Sequence, residues 1–345
     1  MSGGRRETGG GVDPRGKQGD ETMTGRIAGL ALAGSLLAAG AAAAQDKVTV
    51  AYFLEWPTAN QVAQVGKVYD EALGVPVEWR AFGNGNEMTQ AMVSGDVDIA
   101  YSQGFVPFVV GVTNGAPLKL VGIAVTYSEN DLCIVRDDAG ITQANAKELE
   151  GKKVATPTGN VTHYKLLRTL DHLGVDQSKV EIVQMNGADA AVALVRGDVT
   201  MACAFGGPID RMREVGKPLM TGAEQEAVGI NTFDIVSVTD SFAGEHPELV
   251  RKFLQVTDEA NAAYLAEPEA ALETISGAAG MDLDATKAMI ASFGFPSNAD
   301  QRGPNWLGGG VQEAAKGVAE VMAASGNLEG PLEDYSPFVD ASFLE

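Results

Sequence analysis

From residue 47 onward, short β-branched apolar runs alternate with Ala-, Leu- and Met-rich stretches at helical spacing, the order that produces an α/β fold. Residues 47–53 read as a first strand, 60–73 as a helix and 75–80 as a second strand. Asn86 is placed to cap the helix that carries Met88, Ala91 and Met92. Apolar strands follow at 118–125 and 132–135, separated by a polar break over 127–131. The pattern then repeats: strand 152–156, helix 163–173 ended by Gly174, strand 180–183 and helix 188–195. Residues 231–238 read as a strand that returns to the first set. Leu249, Phe253, Val256, Ala260 and Tyr264 then recur at the spacing of one helix, opened by His246-Pro247-Glu248.

One stretch occurs twice. Residues 91–105 return as 193–207, each reading as a helix end, a glycine, an aspartate, a buried strand and a turn of mostly small residues. The first copy ends in Tyr101-Ser102-Gln103 and the second in Cys203-Ala204-Phe205. Carboxyl ends of strands in open α/β sheets are where ligands bind, so two copies predict two similar lobes facing one cleft. The plainer alternative is that helix-Gly-Asp-strand is a common way to re-enter a parallel sheet. The predicted architecture is two-lobed, each lobe a mostly parallel sheet flanked by helices and joined to the other by two crossover strands. Lobe 1 takes 45–131 and 232–345, and lobe 2 is inserted over 132–231; a hinge at the crossovers permits closure.

The first 44 residues stand apart. A short apolar run over 27–39 follows Arg26 and ends in Ala41 to Ala44, the arrangement of a cleaved secretory signal. Cleavage after Ala44 is expected, Met23 is the natural start, and Arg5-Arg6 lies too far upstream for a twin-arginine signal. The charge balance, 25 Lys+Arg against 46 Asp+Glu, excludes nucleic acid and anionic membrane surfaces as partners. It leaves a small ligand open. The 2 cysteines, Cys133 and Cys203, each sit in an apolar strand-like run and read as buried free thiols, too few for a disulfide framework. With 3 histidines and no spaced ligand pair, no metal site is expected; no phosphate-binding, dinucleotide or nucleophile-elbow motif is present either, and no cofactor is expected. A binder fits better than a catalyst.

Thr156-Pro157-Thr158-Gly159-Asn160-Val161-Thr162-His163-Tyr164 is the sharpest local signal. A strand, a glycine turn and hydroxyl residues at a helix start bring free N–H groups and short donors together, as an anion pocket needs; a plain Thr N-cap is the alternative. Tyr101, Ser102, Gln103 and Phe105 would face it from the first repeat copy. Asp234, between Phe233 and Ile235, is an acid where burial is costly without a partner. A cationic ligand group, a structural arginine or backbone N–H groups would each serve. Trp56 and Phe205 would wall a ligand or belong to the core. Together these residues describe a pocket for a small zwitterion.

The chain also resembles a known family. Val48-Thr49-Val50-Ala51-Tyr52, Trp79-Arg80-Ala81-Phe82, Ser94-Gly95-Asp96-Val97-Asp98-Ile99, Thr162-His163-Tyr164, Val180-Glu181-Ile182-Val183, Arg196-Gly197-Asp198, Asp234, His246-Pro247-Glu248 and Asp334-Tyr335-Ser336 resemble the nitrate/sulfonate/taurine solute-binding family of bacterial ABC importers, its taurine-binding members in particular. The resemblance covers nearly all of the chain after the leader. It implies a type II periplasmic-binding fold acting as a monomer in the periplasm, delivering taurine or a related sulfonate to a permease with its cytoplasmic ATPase. It further implies that Thr158, Asn160, Thr162, His163 and Tyr164, with Ser102 and Gln103, hold the sulfonate, and that Asp234 or Glu55 holds the ammonium. It is looser at Leu54-Glu55-Trp56-Pro57 and at Phe205-Gly206-Gly207-Pro208, where a more aromatic stretch is expected. Rivals are another sulfonate, nitrate, an aminophosphonate or, from another class, an enzyme on the same fold such as one of thiamine-pyrimidine synthesis.

Overall fold

The computed structural model describes residues 46–230 and 232–344, so the expected leader over 1–44 lies outside the described residues. Ten strands form two sheets: β1 (Val48–Phe53), β2 (Val77–Phe82), β3 (Ile99–Gly104), β4 (Leu118–Tyr127), β5 (Asp131–Arg136), β6 (Lys153–Thr156), β7 (Glu181–Gln184), β8 (Met201–Phe205), β9 (Gly216–Pro218) and β10 (Thr232–Thr239). The first sheet runs β2-β1-β3-β10-β4 and the second β7-β6-β8-β5-β9. We call the units built on them lobe 1 and lobe 2. In each, four strands run in one direction, and the strand that follows a crossing from the other sheet enters antiparallel: β5 between β8 and β9, β10 between β3 and β4. Helical crossovers force the parallel part, and the crossings supply the exceptions.

The repeated stretch is one backbone geometry used twice. Asp96 N–H bonds Ala91 C=O and Gly95 N–H bonds Met92 C=O; Asp198 and Gly197 do the same to Ala193 and Leu194. Both glycines are left-handed, at φ 82° and 80°, which an L side chain adopts only with strain. The turn then drops the chain into the central strand of its sheet. Residues of β5 alternate between the two faces of the second sheet, Leu132 and Ile134 on one and Cys133 and Val135 on the other, as period-two side chains must. No helix among the described residues is long and apolar enough to cross a membrane.

Four expectations need correction. Residues 60–73 form two helices, Gln61–Val65 and Val68–Leu73, because the chain breaks at Gly66-Lys67, where Lys67 takes φ 56°. The cap of helix Gly85–Val93 is Asn84, whose side chain accepts from Glu87 N–H; Asn86 lies inside the first turn. Phe105, read as the end of a turn, begins helix Phe105–Thr113, whose all-round apolar surface hides its period, and Pro107 sits in the first turn, where its missing N–H costs nothing. Finally, Cys133 and Cys203 are not free thiols. They face each other in the antiparallel register of β5 and β8, 3.9 Å apart at Cα, and form a disulfide. Register between strands 70 residues apart decided this, and spacing in the sequence does not carry it.

Closing so long a loop restricts the unfolded chain. Replacing both cysteines by alanine is expected to lower unfolding free energy by about 2–4 kcal/mol. Urea denaturation with and without reductant measures it; a reductant that leaves the unmodified protein's midpoint unchanged contradicts the expectation.

Candidate functional site

The carboxyl ends of β3 and β8 meet at a small chamber between the lobes, lined by Phe53, Trp56, Gly104, Tyr127, Asp131, Asn160, Val161, Phe205 and Asp234. Its free space is about 10 Å³, room for roughly one water centre, so a larger solute enters only as the lobes part. Gly104 closes it tightly: a Cβ there would fall 2.7 Å from the Val161 side chain. An apolar hollow of about 530 Å³ lies elsewhere, on lobe 1 among helices Gln61–Val65, Pro247–Ala266 and Pro268–Ala279. Its polar lining is confined to Tyr264, Glu259 and Glu267. Converging buried polar groups, and not volume, identify the site.

Asp234 is the first of these groups. It sits on β10 in register with Gly104, and its carboxylate accepts from Ser102 Oγ at 2.7 Å and from Tyr127 Oη at 2.8 Å. Trp56 Nε1 donates to Ser102 Oγ at 3.1 Å, which extends the chain. Ser102 takes φ 41°, a strained conformation for a non-glycine residue, held where its hydroxyl reaches the acid. Burial pushes the Asp234 carboxyl up to about 7 against the lowering effect of the two hydroxyl donors. No basic side chain pairs with it among the described residues.

Asn160 is the second. It caps helix Val161–His172, with Oδ1 accepting from Val161 N–H at 2.8 Å. Its Nδ2 is buried and has no partner among the described residues, so a donor and a helix N-terminus face the chamber together. The cap is therefore Asn160 and not a threonine. Thr162 instead donates to Asp131 Oδ2 at 3.0 Å. Phe205 lies 5.1 Å from Phe53 and 5.7 Å from Trp56 between ring centroids, and the three form an apolar wall.

Other expected contacts lead away from the chamber. Gln103 is fully buried and bonds Ser237 and Thr89. Phe105 stacks on Phe233 at 4.5 Å, in the core. Tyr101 turns toward a neighbouring void lined by Thr58 and Asn60. Thr158 bonds Gln184 and faces an outer hollow, and Tyr164 Oη meets Arg168 at 3.4 Å. His163 Nδ1 accepts from Gly159 N–H, and burial pushes the imidazole down to about 4, so it is neutral at neutral pH and supplies no charge to an anion. Glu55 pairs with Arg211 at 3.4 Å across the cleft mouth, half-exposed, outside the chamber. Its approach also explains Gly206-Gly207: a Cβ on Gly207 would lie 2.3 Å from the Glu55 carboxylate.

That contact is one of several that hold the lobes shut. Asn84 Nδ2 donates to Asn186 Oδ1 at 2.8 Å, Asn86 Nδ2 to Thr158 C=O at 2.8 Å, and Asn130 Nδ2 to Ser292 Oγ at 2.6 Å. The lining residues that sequence reasoning missed are Phe53, Gly104, Tyr127, Asp131 and Val161. Asp131 carried one usable signal, an acid immediately before the apolar run Leu132 to Val135.

Comparison with known proteins places this geometry. The taurine-binding periplasmic protein of Escherichia coli K12 is 28% identical over 86% of this chain and 92% of its own. The alkanesulfonate-binding protein SsuA of Xanthomonas axonopodis pv. citri, solved bound to MOPS, superposes with a TM-score of 0.70 at 19% identity, covering 86% of this chain and 99% of that one. The desulfurization enzyme DSZB, in complex with biphenyl-2-sulfinic acid, shares the fold at a TM-score of 0.62 and 17% identity, over 87% of this chain and 98% of that one. The two-lobed α/β architecture is thus that of the SsuA-like binding proteins. The NMT1/THI5 like family model matches residues 62–271, most of both lobes, and the chain belongs to that family.

Proposed function

We propose that this protein is an extracytoplasmic solute-binding protein that captures taurine by hinge closure and delivers it to an ABC permease with its cytoplasmic ATPase. The observation that carries the reading is that one chamber is lined by two unlike groups: Asp234, buried with hydroxyl donors only, and the Asn160 amide with the N-terminus of helix Val161–His172. An ammonium suits the first and a sulfonate the second. The printed name of the Escherichia coli relative supports the same ligand. The tightness of the chamber favours a short spacer between the two charges over a bulky tail. Export to the periplasm follows from the same reading.

The enzyme on this fold stands as the second reading, favoured by the likeness to DSZB. Against it, Cys133 and Cys203 are joined to each other, which withdraws both thiols from chemistry. Mass spectrometry of a bound ligand before and after incubation separates the two, since a binder returns its ligand unchanged.

Calorimetry tests the ligand and its orientation. Asp234→Ala is expected to weaken taurine binding by roughly tenfold or more, the low end for removing a charged partner. Ethanesulfonate binding as tightly as taurine contradicts an ammonium role for Asp234. Asn160→Asp keeps a good N-cap but replaces the donor by an anion. It is expected to cost roughly tenfold or more in affinity with thermal stability retained; unchanged affinity contradicts the placing of the sulfonate.

A further inference from the structure

The two lobes carry a carboxylate at equivalent points. Asp234 pairs with Gly104 at the carboxyl end of β3, and Asp131 pairs with Phe205 at the carboxyl end of β8. β3 and β8 are the strands of the repeated stretch, and each aspartate sits on the antiparallel strand that follows a crossing. Both side chains line the same chamber. Asp131 is 1% exposed; its Oδ2 accepts from Thr162, while its Oδ1 is buried without a partner among the described residues. Lys165, also buried, does not fill that position. Its Nζ donates to the backbone carbonyls of Asp131 at 2.5 Å and Ser128 at 3.0 Å, so it offsets the charge of Asp131 and leaves Oδ1 open. A buried carboxylate oxygen with no donor is a group awaiting one.

We propose that Asp131 is the second carboxylate of an ammonium clamp, gripping from lobe 2 the same ligand nitrogen that Asp234 grips from lobe 1. A primary ammonium has three N–H donors, enough to reach Asp131 Oδ1 and the Asp234 carboxylate together. The clamp deepens the zwitterion reading and rests on it. It also links recognition to closure, because the two acids meet the nitrogen only when the lobes come together.

Proton release follows. Burial raises Asp234 to about 7 and Asp131 to about 6, and each repels the other's charge. The groups that face them are Ser102, Tyr127 and Trp56 around Asp234, and Thr162 and Lys165 around Asp131. Tyr101 also feels Asp234, and Glu129 and Glu226 act on Lys165. Burial keeps Tyr101 and Tyr127 protonated well past neutrality, so the two carboxyls are the groups lining the chamber that gain or lose a proton near neutral pH. At mildly acid pH the ligand-free pair is partly protonated. Binding of R–NH₃⁺ ionises both acids and sends the protons they hold to solvent, with no other bond made or broken. Affinity for an ammonium ligand is therefore full above the raised carboxyl value and falls as pH drops through it, by roughly tenfold or more between about pH 8 and about pH 5.5.

The test is calorimetry of the leader-free protein with taurine and with ethanesulfonate, at about pH 6, in two buffers of different ionisation enthalpy. Taurine is expected to release more than one proton, because both raised carboxyls ionise, where Asp234 acting alone would release at most one, and ethanesulfonate none. Asp131→Asn, which keeps an acceptor for Thr162, is expected to weaken taurine by roughly tenfold while sparing ethanesulfonate. Equal proton counts for the two ligands, or an unchanged taurine-to-ethanesulfonate ratio in Asp131→Asn, overturns the clamp and leaves sulfonate binding standing. Binding of neither ligand overturns the sulfonate reading, and the clamp with it. Should Asp131→Asn fail to fold, the proton count on the unmodified protein still decides: more than one proton with taurine supports the clamp, and one or fewer overturns it.

Discussion

A carboxylate buried without a cation is the constraint around which this molecule is arranged. Asp234 lies on an inner strand of the first sheet, 2% exposed, and meets the hydroxyl donors of Ser102 and Tyr127, the first of them held in turn by the Trp56 indole. Desolvation raises the cost of its charge, and the hydroxyls of Ser102 and Tyr127 recover part of that cost. The strained backbone of Ser102 is tolerated because it brings a donor to the acid. An apolar residue in its place would leave the buried hydroxyls of Ser102 and Tyr127 without their acceptor, so the acid has a structural role as well. On the proposed reading a ligand cation is its further partner.

The second lobe answers the first. The same helix-Gly-Asp-strand turn delivers β3 and β8 to the cleft, and the same kind of crossing sets an antiparallel strand beside each. Duplication of the frame does not mean duplication of the site. Lobe 1 contributes Asp234 with its hydroxyls and the tryptophan; lobe 2 contributes a carboxylate too, Asp131, but sets it beside Asn160, the helix N-terminus and Phe205. Polar bridges from Asn84, Asn86 and Glu55 to Asn186, Thr158 and Arg211 close the rim around them. They are exposed or half-buried contacts, each weak, and so suited to breaking when the lobes open.

Much of the frame is legible in the sequence because periodicity and glycine punctuation are local. So are Asp234, conspicuous between apolar neighbours, and Asn160, conspicuous at a helix start. What the sequence hides is set by long-range register. Gln103 reads as a ligand contact beside Ser102, yet its amide is taken by Ser237 and Thr89, one on a distant strand and one on the preceding helix. Asp131 reads as the end of a solvated break, and only its pairing opposite Phe205 brings it into the chamber. The disulfide of Cys133 and Cys203 depends on that same register, two residues further along. Glu55 and His163 show another limit of residue type: a salt bridge holds one and burial neutralises the other.

The most direct test is a crystal structure of the protein with taurine, at a resolution that orients the ligand. The zwitterion reading predicts the ligand nitrogen within about 3 Å of a carboxylate oxygen of Asp234 and of Asp131 Oδ1. It predicts the sulfonate oxygens on Asn160 Nδ2 and the first N–H groups of helix Val161–His172. Taurine seated in the opposite orientation, or in the outer hollow beside Glu55 and Arg211 with both aspartates touching only protein, would contradict it.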